Sequence, residues 1–171
     1  MSQIGVVMGS DSDYKVMEDA LKVLREFEVD FEVKISSAHR TLERTVAWVK
    51  AFETQGGKII IAAAGLAAHL PGVIAGATTL PVIGVPLSSG SLQGIDALYS
   101  IVQMPPGIPV ATVGIGAAKN AALLAVQILA SQDKPLNDKV KNYRAKMMID
   151  IEAKDEALQK MVSEGIKGTV I

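Results

Sequence analysis

The stretch Lys58–Ala63, with sequence KIIIAA, constrains this chain more than any other. After its lysine it is uniformly apolar, with no alternation of polar and apolar positions. Such a strand is stable when both faces are covered, as in a parallel sheet held between helix layers. The neighbouring segments fit that arrangement. Ile4–Met8 is a short apolar run ended by Gly9-Ser10, and Met17, Ala20, Leu21, Leu24 and Phe27 then recur at helical spacing. Phe31–Ile35 predicts a second strand, and Thr41–Thr54 a second helix closed by Gly56-Gly57. Beyond the third strand, a small-residue helix is expected from about Leu70 to Ala77. Pro81–Val85 and Val110–Val113 predict two further strands, followed by helices near Gly94–Val102 and Lys119–Ser131. Strands alternating with helices imply right-handed βαβ crossovers. The expected fold is a three-layer α/β/α sandwich, flavodoxin-like, with a five-stranded parallel sheet as its core.

After Asp133-Lys134-Pro135 the composition changes. Asn137–Glu164 is charged, with Val140, Met147, Ile151, Leu158 and Met161 forming an apolar stripe, which predicts a C-terminal amphipathic helix. The expected organisation is one domain over residues 1–171, with a core at 1–133 and a helical extension at 134–171.

A net charge of −1 leaves no electrostatic footprint for nucleic acid or an anionic membrane. The absence of cysteine removes disulfides, thiolate zinc sites and thiol catalysis together. Ile59–Ala68 is too short to span a bilayer and is interrupted by Gly65. The first strand begins close to Met1, so no secretory or transit segment is expected and the expected location is the cytoplasm. Hydrophobic residues make up 49% of the chain, more than one small interior needs, which favours a homo-oligomer. The alternative is tight sheet–helix packing, because alanine and glycine are often fully buried.

Ligands of open α/β sheets bind outside the carboxyl ends of the strands. Both histidines, His39 and His69, follow predicted strands, so both are expected at that rim. An ordinary histidine pKa near 6.5 lets either move a proton at neutral pH. Two histidines without cysteine or an H-x-x-x-H pair make a poor metal set, so no metal is expected. Gly9-Ser10-Asp11-Ser12-Asp13 joins the first strand to its helix. Ser and Asp are common caps, but four of them after a glycine favour a ligand site, with helix-start amides and hydroxyls near a phosphate. Asp13 suits ribose hydroxyls, and no Walker lysine follows. Arg40 offers a planar fork for phosphate oxygens, against the commoner fate of a surface ion pair. Gly65-Leu66-Ala67-Ala68 is almost free of polar side chains and suits a flat group against main-chain atoms, or close packing of helix on strand. Gly114-Ile115-Gly116-Ala117-Ala118-Lys119 follows the fifth strand instead of the first and is discounted as a dinucleotide fingerprint.

Taken in series, MGSDSD at 8–13, SAHRT at 37–41 and AAHLPG at 67–72 have the order of the PurE family. PVIGVP at 81–86, SIVQMP at 100–105 and NAALL at 120–124 continue it. Over residues 4–131 the chain resembles class I PurE, the N5-carboxyaminoimidazole ribonucleotide mutases of purine biosynthesis. That resemblance implies transfer of a carboxylate from an exocyclic nitrogen to a carbon of an imidazole ribonucleotide, without metal, ATP or organic cofactor. It implies His39 as general acid and base, and Ser10, Asp13 and Arg40 at the phosphate and ribose. Gly9, Ser12, Ser37, Ala38, Gly65, Leu66, Ala67 and His69 complete the implied substrate-binding set, with the Gly65–Ala68 backbone and His69 at the base. Loops 88–92 and 103–105 are the expected covers. A homo-octamer with sites between subunits is implied as well.

The chain departs from the bacterial pattern at Tyr14 (usually Trp), Leu42 (usually Pro) and Leu66 (usually Gly), and the Gly116–Asn120 connection is short. An animal-type branch carboxylates aminoimidazole ribonucleotide with free carbon dioxide. Its histidine is usually followed by Lys and it lacks the HLPG run, so Arg40 and His69–Gly72 favour the mutase. A non-enzymatic flavodoxin-like nucleotide-binding module is the other class of answer. A phosphoreceiver needs an aspartate where this chain has Ala62-Ala63-Ala64, and a flavin site needs aromatic flanks where the loops offer only Tyr14.

Overall fold

The computed structural model describes residues 2–167. Five strands alternate with helices: β1 (Ile4–Met8), α1 (Tyr14–Glu26), β2 (Phe31–Ile35), α2 (Leu42–Thr54), β3 (Ile59–Gly65) and α3 (Leu70–Ala75). They are followed by β4 (Val82–Leu87), α4 (Ile95–Val102), β5 (Ala111–Thr112), α5 (Ala118–Ala130) and α6 (Lys134–Lys167). The sheet is parallel throughout, in the order β2-β1-β3-β4-β5. This is the five-stranded parallel α/β core expected from the sequence.

Side-chain alternation divides the sheet into two buried faces. Val7, Ile60, Ala62, Ala64 and Val82 pack with Val49 and Phe52 of α2, Leu70 and Ile74 of α3, and Ile101 of α4. The opposite-parity residues Ile4, Val6, Met8, Ile59, Ile61, Ala63, Ile83 and Val85 are buried too. The β1-to-β2 crossover runs opposite in direction to the later ones. Right-handed connections therefore place α1, with its buried Met17, Ala20, Leu21 and Leu24, on that second face. Strand β2 lies at the sheet edge, where Val33 and Ile35 stay exposed, unlike the fully covered β3.

Glycines set the helix–sheet separation on the first face. A Cβ on Gly5 would meet the Trp48 ring at 2.9 Å, and one on Gly84 would lie 2.4 Å from Ile101 Cγ2 and 3.0 Å from Val110 Cγ1. Trp48 in turn stacks on Phe52, with ring centroids 5.6 Å apart.

Element ends differ from expectation for local reasons. Strand β3 runs on to Gly65 and β4 to Leu87 because Ala64 pairs with Pro86 and Gly65 with Leu87. The β5 ladder is brief. Past it, Val113 N–H still donates to Gly84 O at 3.1 Å and Gly116 N–H to Pro86 O at 2.8 Å. Helix α6 starts at Lys134, the first residue of the expected extension and ahead of the charged stretch read from Asn137. Asp133 Oδ1 accepts from Leu136 N–H at 2.9 Å, and proline is tolerated in a first helical turn.

The chain divides into two compact units, residues 1–129 and 130–171. The first carries the sheet and every loop discussed below. The second is dominated by α6, whose Met147, Met148, Ile151, Leu158 and Met161 are exposed. No helix among the described residues is long and apolar enough to cross a membrane.

The fit of α4 over Gly84 is testable. Gly84→Ala should destabilise the protein by about 1–3 kcal/mol through overpacking against Ile101. Chemical denaturation would check this, and an unchanged midpoint would mean that α4 shifts freely.

Candidate active site

Strands β1 and β3 are neighbours, but the chain leaves them toward opposite faces. The loops beyond their carboxyl ends separate and leave a crevice, the switch point of this topology. A cleft of about 470 Å³ lies there, within the usual size range of small-molecule sites. Its lining contains Gly9, Ser10, Ser12 and Asp13 after β1, and Ser37, Ala38, His39 and Arg40 after β2. Gly65 and Leu66 line it after β3. The floor is Ala63 and Ala64, the end of the strand from which the fold was read.

The β1 loop is tied internally. Ser10 N–H donates to Asp13 Oδ2 at 3.0 Å and Ser12 N–H donates to Ser10 Oγ at 3.4 Å, closing a capping box around a 3₁₀ turn at Asp11–Asp13. Ser12 Oγ lies 3.0 Å from Ser10 Oγ. Capping and cleft lining therefore fall on the same residues. Burial pushes the Asp13 carboxyl above its ordinary range, against the lowering effect of bonds from Ser10, Ser12 and Gly9 and with a small raising effect from Asp11.

The β2 loop is held by hydroxyls. Thr41 Oγ1 accepts from Ser37 N–H at 3.1 Å and donates to Ser37 O at 3.0 Å, while buried Ser36 shares a 2.8 Å bond with Thr45. This staple fixes the turn that carries His39 and Arg40. The Arg40 guanidinium donates to Gly9 O at 3.2 Å and Ser37 Oγ at 3.4 Å, bridging two loops of the cleft, and among the described residues no carboxylate holds it. His39 is exposed on the same turn.

The apolar wall opposite comes from β3. Leu66 has φ +57, a left-handed conformation that costs an L-residue of this size roughly 1–2 kcal/mol. Its N–H donates to Ser89 Oγ at 3.1 Å. Ser89 also lines the cleft, as do Ala68 and Leu70. Ser89 belongs to the loop expected as a cover but was not among the expected binding residues. The signal for it is a long-range one: a Cβ on Gly65 would fall 2.6 Å from Ser89 Oγ.

Ala67 and His69 do not line this cleft. The His69 ring lies over Gly72, whose Cβ, if present, would be 1.7 Å from Nε2, and Nε2 is 3.1 Å from Met104 Sδ. Nδ1 is buried without a protein hydrogen-bond partner. The structure thus separates the histidines, one on the cleft rim and one, half-buried, against Met104. Among the described residues no three His, Asp or Glu side chains gather as a metal-ligand set.

Burial lowers the His69 pKa from its usual value. The folded protein therefore binds fewer protons at His69 than the unfolded chain does. Stability should be intact above the unfolded value of about 6.5 and fall as pH drops through it toward the lowered folded value. In His69→Gln this component of the slope should vanish. Identical stability–pH profiles for both proteins would contradict it.

Comparisons with known proteins agree with this fold. The AIR carboxylase family profile matches residues 3–150. An N5-carboxyaminoimidazole ribonucleotide mutase of Pyrococcus abyssi is 58% identical over 147 residues, covering 86% of this chain and 84% of that protein. The protein of the same name from Synechocystis sp. is 57% identical over 158 residues, covering 91% and 90%. The crystal structure of Treponema denticola PurE superposes with a TM-score of 0.84 at 35% identity, covering 91% of this chain and 97% of that one. The chain belongs to the AIR carboxylase family.

Proposed function

We propose that this protein is an N5-carboxyaminoimidazole ribonucleotide mutase of purine biosynthesis, an isomerase that moves a carboxylate within its substrate. The observation that carries the reading is the juxtaposition at the switch point of an exposed imidazole, His39, with Arg40 and the Ser10–Asp13 loop. The names of the relatives from Pyrococcus abyssi and Synechocystis sp. support the same reaction.

In the proposed mechanism Arg40 and Ser10 hold the 5′-phosphate, and Asp13 accepts from ribose hydroxyls. Gly9, Ser12, Ser37 and Ala38 shape the polar wall, and the heterocycle lies toward Gly65 and Leu66. Protonated His39 gives its proton to the exocyclic nitrogen. The nitrogen–carboxyl bond breaks, carbon dioxide is released, and aminoimidazole ribonucleotide remains with neutral His39. The ring carbon then attacks the carbon dioxide, and His39 takes back the proton that this carbon loses. The same imidazole serves in both directions, first as donor and then as acceptor. The sequence requires exclusion of water and retention of the gas, and involves no metal, ATP or organic cofactor.

Exposed apolar side chains on β2 (Val33, Ile35) and α4 (Ile95, Tyr99, Val102) support assembly with further copies. The proposed form is a cytoplasmic homo-octamer in which neighbouring subunits complete each site. His69 and Ala67, absent from the single-chain cleft lining, would reach substrate through such an arrangement.

The deciding assay contains chelator and no ATP, and offers either N5-carboxyaminoimidazole ribonucleotide or aminoimidazole ribonucleotide with bicarbonate. Efficient formation of the carbon-carboxylated product from the first substrate is expected. Preference for the second would make the protein a carboxylase, and restoration of activity by added metal would overturn the metal-free route. His39→Asn should lower kcat at least about 100-fold while product binding is retained. Near-normal turnover would remove His39 as the proton carrier. Arg40→Ala should weaken substrate by about 1.5–3 kcal/mol, the worth of a charge-assisted hydrogen bond. The effect should disappear for an analogue without phosphate; an equal loss would contradict the phosphate role.

A further inference from the structure

Leu66 combines two unfavourable features. Its backbone has φ +57, where a bulky L-residue is strained, and its side chain is 55% exposed. It is also the one large apolar side chain of the cleft lining that stands in solvent, since Leu70 is buried. Strain maintained at a ligand cleft calls for something that holds it in place and something that uses it.

The holding contacts are clear. Ser89 Oγ accepts from Leu66 N–H, and the absence of a side chain at Gly65 leaves room for that hydroxyl. Gly90, itself at φ +64, has no Cβ; one built there would lie 2.8 Å from Leu66 Cδ2. The isobutyl group therefore occupies the space that a side chain at position 90 would need, and Leu66 lines the cleft. The same cleft is lined by Ser10, Ser12, Ser37, Asp13, His39 and Arg40.

We propose that Leu66 is a substrate-contacting specificity residue: its side chain covers the flat heterocycle opposite His39 and shields the carboxylate in transit from water. The inference rests on the carboxylate-transfer reading above and assigns to one residue the shielding which that reaction requires. A ring laid on Leu66 buries apolar surface on both partners. It also leaves carbon dioxide, released from the ring's exocyclic nitrogen, between an apolar wall and the imidazole. The partition of that intermediate is then set at Leu66: recapture by the ring carbon gives product, and escape leaves aminoimidazole ribonucleotide.

The test compares Leu66→Gly, Leu66→Ala and Leu66→Met in the intact protein, using substrate labelled in its carboxylate. The label in product and in released carbon dioxide is counted above the enzyme-free rate. Leu66→Gly removes both the strain and the side chain, whereas Leu66→Ala removes the side chain and keeps the left-handed backbone occupied by an L-residue. Both should raise KM about tenfold, the worth of one leucine's buried surface. Both should also increase the escaped fraction, and Leu66→Met should restore retention in part. Leu66→Gly should melt no lower than wild type, which separates lost shielding from lost fold. Wild-type KM and partition in Leu66→Gly would overturn the proposal, as would a fall in kcat with partition unchanged. A wild-type enzyme that converts none of the substrate would overturn the reaction reading itself and this inference with it.

Discussion

The register between β1 and β3 is the constraint on which the rest depends. Val7 lies beside Ala62 and Met8 beside Ala63, although more than fifty residues separate them along the chain. That parallel contact places two strand ends side by side whose following loops must diverge, one toward α1 and one toward α3. The crevice between those loops is a consequence of connectivity. What keeps it open is the smallness of Ala63 and Ala64. Larger side chains at the end of β3 would fill the floor of the cleft with their own volume.

On that floor the two walls differ in chemistry because their loops solve different backbone problems. The loops after β1 and β2 begin helical segments, so their free amides are met by Ser10, Asp13, Ser37 and Thr41. Ser10, Asp13 and Ser37 line the cleft from one side, and Thr41 holds the second loop from behind. The loop after β3 also leads into a helix, α3, but it turns through a left-handed residue and is secured from outside by Ser89. The residues it gives to the cleft, Gly65, Leu66 and Ala68, carry no polar side chains. A ligand with an anionic, hydroxylated end and a flat end matches that division.

Much of this was legible in the chain. The uniformly apolar third strand, the glycine and serine at the end of the first, and the hydroxyl-rich turn around His39 are local signals, and each has its expected place in the structure. The features that were not legible are those set across the fold. The His69 ring is turned by Gly72 beneath it and Met104 against it, the latter thirty-five residues away. Ser89 enters the cleft because Gly65, on another strand, leaves space for it. The start of α6 is a local signal by contrast: the extension was expected from residue 134, and the Asp133 side chain accepts from Leu136 N–H and caps the helix there.

The two histidines illustrate why position on a strand end is insufficient to assign chemistry. Both follow strands, and both precede helices. His69 is packed on Gly72 with one nitrogen buried and unpartnered, and burial favours its neutral ring. A group so placed resists gaining a proton and has little room to pass one on. His39 stands on a turn fixed by Thr41, exposed at the cleft beside Arg40. A proton carrier that must first give and then recover the same proton needs access to the ligand and a rigid base, with no competing partner holding its ring. The Ser36–Thr45 and Ser37–Thr41 bonds supply that rigidity from below while leaving the imidazole uncommitted above. For the proposed transfer, the hydroxyls beneath the turn therefore matter as much as the histidine on it, because they hold the ring at one distance from the cleft through both proton movements.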